Sequence, residues 1–406
     1  MSVLGVAILF GRSRFWLGIW PETGAAAQLS GYFLSVLAAG LAAWVAATFE
    51  VRGMQEQAAS GAIRPATVEG VRFGIVLAWM IGPYLLVSLV AFVATAFTVF
   101  APGVGMFFEY VGLGALMIVF GSAWGWLVGR LLAPIVGALS AALSWFIVGS
   151  LLGDSTSALR VSGPPWFALQ ADAFVIRAAA LVVFAVSVIL IPWKVSRRSF
   201  ARGVVASIVA LALVIGAFTA TDMVRYRDPV AHPRCVQGAI EYCLWPEHAK
   251  YIPMVQAVDR RVSALPVKLA LPSRIVDYSL SGSTQWLDLD TAVERSGQFP
   301  PEFDISEGSE WALARGVASA IVGEVFKDCS PSAKADPQLQ SEQLLAWLEW
   351  RLAGGGTPDY RTNAPGDLQA AWSNGRRRAA ELSDADQSAW VTALVADAKA
   401  NYCLAA

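Results

Sequence analysis

The only two histidines of this 406-residue chain bracket two of its four cysteines, in the order His232, Cys235, Cys243, His248. Imidazole and thiolate are the ligands of closed tetrahedral zinc sites, so these four side chains form one candidate metal set. Their spacing matches no standard finger. Two thiols outside a reducing compartment also oxidise to each other, and that reading is favoured. Four cysteines allow three pairings. Short local separation favours Cys235 with Cys243, which leaves Cys329 for Cys403 and would tie the last helix to an earlier one.

A second group, Glu302, Asp304, Glu307 and Glu310, places four carboxylates close together in sequence. Paired carboxylates are the apparatus of glycoside hydrolysis, but a solvated acidic loop explains them more simply. Arg376, Arg377 and Arg378 likewise read as a wet helix face. The chain has no Gly-x-Ser-x-Gly, no His-Glu-x-x-His and no phosphate-binding Gly-x-x-x-x-Gly-Lys-Ser/Thr. The reading is therefore of a protein that is not an enzyme and needs no cofactor. Any nucleotide energy must come from a partner.

The elements that would carry these residues divide sharply. Apolar residues make up 56% of the chain and charged ones 15%, against roughly a quarter charged in an ordinary soluble protein. Stretches 29–49, 73–100, 110–129, 131–153, 178–193 and 203–221 contain no Asp, Glu, Lys or Arg. A helix needs about 20 apolar residues to cross the hydrocarbon of a bilayer. Nothing similar follows Thr221. Residues 1–221 carry 12 Lys+Arg against 7 Asp+Glu, a net of +5, whereas 222–406 carry 18 against 24, a net of −6. These patterns predict helices at about 29–49, 72–100, 106–129, 131–152, 173–193 and 203–221. Residues 1–11 lack the basic start and small-residue cleavage site of a signal peptide. Their apolar run is too short for a span, so a half-helix or a misplaced start codon is expected.

Basic residues are retained on the cytoplasmic side of membranes. Arg52, Arg64, Arg72, Arg130, Lys194, Arg197, Arg198 and Arg202 fall in one set of loops, while the alternate set holds only Arg12, Arg14, Arg160 and Arg177. The richer set is therefore expected inside, which sends the last helix outward. All four cysteines follow that helix, as suits an oxidising exterior. Trp16, Trp20 and Trp166 would then line the outer interface, and Trp44, Trp124, Trp126 and Trp193 the inner one. Gly121, Gly125 and Gly129 recur every fourth residue. That pattern strips one helix face for close packing, either within the bundle or against a second copy. Pro83 should bend its helix. No ionisable residue lies near the centre of a span, which disfavours an ion or proton path.

The first loop of the richer set reads FEVRGMQEQAASGAIRP over residues 49–65. It resembles the first cytoplasmic loop of ATP-binding-cassette permeases of the type 2 exporter class, where an interfacial helix docks on the ATPase. Glu50, Gly53, Glu56 and Arg64 match that motif, and Arg52 lies four residues before Glu56 on the same face. The family's Leu-Leu is replaced by Ala58 and Ala59, and its Thr-Pro by Ser60 and Gly61. Phe15, Trp16, Trp20 and Pro21, with the run from Cys243 to His248, extend the likeness to bacterial permease-like membrane proteins. The resemblance implies a separate ABC ATPase as partner and a homo- or heteromeric dimer of permeases in membrane lipid.

After Pro246, apolar periodicity predicts helices in 247–264, 310–327, 339–353, 366–382 and 384–403, with short strands at 266–272 and 274–279 and a loop over 280–308. The expected fold is thus an all-α polytopic membrane bundle of six to seven transmembrane helices over 1–221. A mainly helical α(+β) extracytoplasmic domain over 222–406 completes it. The expected protein is a multi-pass component of a bacterial plasma membrane with its C-terminal domain outside, and its acidic outer part argues against nucleic acid. The expected role is the permease subunit of an exporter, coupled to its ATPase through residues 50–70. The alternative is a non-transporting, membrane-anchored protein whose outer domain binds or senses a ligand.

Overall fold

The structure is a computed structural model that describes residues 2–11, 13–51, 64–98, 101–151, 163–191, 197–220, 222–282, 301–305, 308–327, 329, 338–358 and 366–402. Its contacts divide the chain into two compact units, Met1–Arg227 and Asp228–Ala406.

The first unit holds α1 (Ser2–Phe10), α2 (Ser13–Trp16), α3 (Trp20–Val51), α4 (Pro65–Ala96), α5 (Val104–Leu131), α6 (Pro134–Leu151), β1 (Phe167–Leu169), α7 (Ala171–Ile189), α8 (Arg197–Ala220) and β2 (Val224–Tyr226). Among the described residues five helices, α3, α4, α5, α7 and α8, are long and apolar enough to cross a membrane, and α6 is a shorter apolar helix. Their outward faces are aliphatic: Ile75 on α4, Val182 on α7 and Leu213 on α8 are all more than half exposed. A soluble protein would not leave such continuous apolar surface in water. The first unit is a helical bundle of the kind that crosses membranes.

The centre of the bundle is the seam between α3 and α5. Helix α3 turns a ridge of Ala38, Ala39, Ala42, Ala43 and Ala46 inward, all fully buried. The glycine face of α5 meets that ridge. A Cβ on Gly121 would sit 2.5 Å from the Ser35 carbonyl oxygen, and one on Gly125 or Gly129 would collide with the backbone of Ala39 or Ala43. Without side chains in between, the two backbones reach van der Waals contact, which is the main attraction left to helices in a solvent as apolar as themselves. The glycine face of α5 is thus covered by α3.

Several boundaries differ from those read in the sequence. Helix α3 starts at Trp20, ahead of the uncharged stretch, with Glu22 in its first turn, where a carboxylate suits the helix dipole. Helix α4 starts at Pro65, because a proline at the first helical position lacks only an N–H that would go unbonded anyway. Pro83 lies inside α4 without ending it. The nine-residue α1 packs its Gly5 against Val87 of α4, and its Gly5 carbonyl accepts a hydrogen bond from Ser30 of α3. Of the tryptophans expected at the interfaces, Trp16, Trp20, Trp126 and Trp166 are buried against the protein. Trp16 donates to the Leu9 carbonyl and Trp20 to that of Ala101, and both rings are buried. Trp44 and Trp79 are exposed. Indole has one N–H donor, and burial is tolerated where that donor finds a carbonyl.

In the second unit β3 (Arg234–Val236) and β4 (Glu241–Leu244) form an antiparallel hairpin, and β4, β5 (Arg274–Asp277) and β6 (Glu302–Phe303) run parallel. Between β4 and β5 a 3₁₀ turn, Pro246–Tyr251, leads into α9 (Ile252–Ser263). This is the helical crossover that parallel strands require. Then follow α10 (Glu310–Val325), α11 (Gln338–Ala353), α12 (Gly366–Glu381) and α13 (Asp384–Tyr402). The strand expected over 266–272 does not form. The boundary between units falls after Arg227 because β2 pairs antiparallel with β1.

Candidate functional site at the loop end of the bundle

Helix α3 ends at Val51 and α4 begins at Pro65. Arg64, the residue between loop and helix, is exposed and extended, with φ −64° and ψ 135°, as a residue before proline must be. One turn into α4 stands Glu69, buried to 2% exposure. Its Oε1 accepts from Arg72 Nη1 at 2.9 Å and lies 3.8 Å from Nη1 of Arg130 in the last turn of α5. Arg72 also donates through Nη2 to the Val45 carbonyl of α3 at 2.5 Å. Its guanidinium lies over the Phe49 ring at 3.8 Å and 5.3 Å from the Trp126 ring. Arg130, itself 1% exposed, donates to the Ile191 carbonyl just after α7 at 3.2 Å.

One carboxylate and two guanidiniums therefore join α3, α4, α5 and the end of α7. Buried charges are costly to desolvate and persist where each finds partners. Here the arginines use rings and carbonyls as well as the carboxylate, and Arg130 sits at a helix C-terminus, where the dipole favours a cation. The sequence reading put Arg72 and Arg130 in solvated loops and gave Glu69 no role. The readable signal was the three-residue spacing of Glu69 and Arg72.

Of the residues expected to contact an ATPase, Arg64 is the one whose side chain is described. Arg52, Gly53 and Glu56 fall outside the described residues, as does the side chain of Glu50, whose backbone belongs to the last turn of α3.

In the second unit Cys235 and Cys243 face each other across the β3–β4 hairpin, with Cα atoms 4.0 Å apart, and are joined as a disulfide. Cys403 lies outside the described residues, and the expected pairing with Cys329 lies there with it. The candidate zinc set His232, Cys235, Cys243 and His248 does not assemble. Both thiols are consumed, His232 is exposed, and His248 is fully buried on another partner. That partner is Asp277, whose Oδ2 lies 2.5 Å from His248 Nδ1. Asp277 also accepts the Trp245 backbone N–H at 3.3 Å and the Tyr278 N–H at 2.9 Å. Trp245 donates its indole N–H to the Tyr278 carbonyl at 3.0 Å, and the Tyr251 ring stands edge-on to the imidazole at 5.5 Å. The pair staples the turn after β4 to the end of β5.

The acidic residues around 302–310 do not make a carboxylate pair among the described residues. Glu302 accepts from Ser281, and Glu310 takes the Arg261 guanidinium at 2.5 Å. Glu307 lies outside the described residues. On the sheet, Glu241 accepts from Arg274 at 2.5 Å, and that hydrogen bond holds its carboxyl below the ordinary range. Burial pushes the neighbouring Tyr242 phenol up. No protein-family model, no curated protein and no solved structure matches this chain.

Proposed function

We propose that the chain is the permease subunit of an exporter driven by a separate cytosolic ABC ATPase, which it engages through residues 50–70. The observation that carries this reading is the Glu69–Arg72–Arg130 cluster, which ties α3 and α4, the two helices that flank the loop, to α5 and the end of α7. A force on the loop is then passed to four parts of the bundle instead of being absorbed by one helix end. The loop end faces the cytoplasm in this reading and the disulfide-bearing unit faces outward, in agreement with the bias in basic residues and the placement of the cysteines. The test is purification of the full chain from its native membrane. A phosphate-loop ATPase is expected to copurify, and Glu56→Lys is expected to weaken the pairing. Isolation of the chain free of any ATPase, under conditions that preserve membrane complexes, overturns the reading.

A second reading, a non-transporting anchor for an outer binding domain, is favoured by one observation. The second unit has its own disulfide and its own buried centre around Tyr242, Trp245, Ile275 and Phe303. Export of a substrate that stops when Glu56 is reversed excludes it.

A further inference from the structure

Helix α8 is the least covered of the five long apolar helices, with 22% of its apolar stretch buried. One of its faces reads Arg198, Arg202, Val205, Val209, Leu213, at spacings of four, three, four and four residues. These positions lie on one side of a 3.6-residue helix. All five are exposed, the three aliphatic ones at 59%, 56% and 59%. The aliphatic part is a lipid-facing surface, and the two arginines continue it.

Depth places those arginines. From Arg202 to Ala220 the helix rises about 27 Å, close to the ~30 Å of a hydrocarbon core. With Ala220 at one edge of the core, Arg202 stands at the other. Arg198 lies one turn further out, about 6 Å, within the headgroup layer. Neither side chain forms an ion pair among the described residues, and the first turn of α8 has no acid. Glu69 of α4 is buried and held by Arg72 and Arg130. Arg198 therefore stands in the first turn, at the positive end of a helix dipole, with Arg202 one turn behind it, an arrangement that is unfavourable until an anion meets it.

We infer that Arg198 and Arg202 bind the headgroup of a net-anionic phospholipid whose acyl chains lie along Val205, Val209 and Leu213. A guanidinium matches a phosphodiester with paired N–H donors. A zwitterionic lipid offers the same phosphate but brings a cation with it, and two adjacent arginines disfavour that cation. The aliphatic continuation of the face selects a lipid over free phosphate. This inference is independent of the transport reading.

The test uses the full chain in nanodiscs of equal phosphatidylglycerol and phosphatidylcholine, with native mass spectrometry of the lipids retained on release. Phosphatidylglycerol is expected to be retained over phosphatidylcholine by a factor on the order of tenfold. R198Q/R202Q is expected to equalise the two, R198K/R202K to keep most of the preference, and millimolar inorganic phosphate to displace nothing. Where the double glutamine variant fails to fold, R198Q and R202Q singly are each expected to lose part of the preference. Equal retention by the native chain, an unchanged preference in the glutamine variants, or displacement by phosphate each overturns the inference.

Discussion

Gly125 stands at the closest point of the α3–α5 seam, and its replacement by alanine isolates that contact. A Cβ there would lie 2.7 Å from the carbonyl carbon and 2.8 Å from the Cα of Ala39, nearer still to its oxygen. All three atoms are backbone, so no side chain can swing aside. The two helices must part by about 1 Å over at least a turn, against the neighbouring contacts of Gly121 and Gly129. Overpacking of this kind costs about 1–3 kcal/mol, and the loss of dispersion along the opened seam puts Gly125→Ala in the upper half of that range. Gly216 on α8 and Gly74 on α4 supply the control, since a Cβ at either meets nothing within 4 Å. Alanine there should be neutral or stabilising by up to about 1 kcal/mol, the helix-propensity difference. The assay is thermal unfolding of the three variants in one detergent, read by intrinsic tryptophan fluorescence. Gly125→Ala is expected to lower the midpoint, and the other two to leave or raise it. Equal midpoints for Gly125→Ala and Gly216→Ala would refute the close seam.

Other substitutions test the charged and covalent contacts. Glu69→Gln removes the carboxylate that Arg72 and Arg130 share, and breaking a buried pair of this kind costs about 3–5 kcal/mol. The same unfolding assay should show it, and Glu69→Asp should recover part of the loss. Asp277→Asn leaves His248 without its charged acceptor and should destabilise the second unit by a comparable amount, measured as faster proteolysis of the full chain within residues 228–406. Cys235→Ala/Cys243→Ala releases a loop with a sequence separation of 8. Chain entropy puts that contribution at about 2.5 kcal/mol, read as the loss of stability of the double alanine variant in the same unfolding assay. Glu241 has a folded pKa below its ordinary value of 4.5, chiefly through its hydrogen bond to Arg274. Its contribution is therefore present above pH 4.5 and lost as pH falls below it. Glu241→Gln should flatten that part of the acid-stability profile, and an unchanged profile would exclude this ion pair as a source.

The apolar stretches were readable because a span must exclude charge over a fixed length, and composition alone reports that. Gly121, Gly125 and Gly129 were readable as a contact face, but the sequence could not name the partner. The alanine ridge of α3 is equally a face of small residues, and only the fold brings it opposite the glycines. The hairpin carrying Cys235 and Cys243 escaped the reading of strands, since β3 and β4 are three and four residues long and neither shows a period. Their pairing was still expected, because proximity in sequence needs no strand. His248 and Asp277 lie 29 residues apart. Nothing in either neighbourhood announces the other until β4 and β5 run parallel and bring the ends of both strands to one edge. The buried cluster at the loop end failed for a different reason. Charges at the ends of apolar stretches are expected in water, and Arg72 and Arg130 carry that mark. What separates them from Arg198 and Arg202, which have the same mark and remain exposed, is Glu69. A carboxylate one turn into a span has to be desolvated with α4, and it takes with it the cations in reach. The position of one acid thus sets Arg72 and Arg130, which hold the bundle together, apart from Arg198 and Arg202, which stay exposed at the same end.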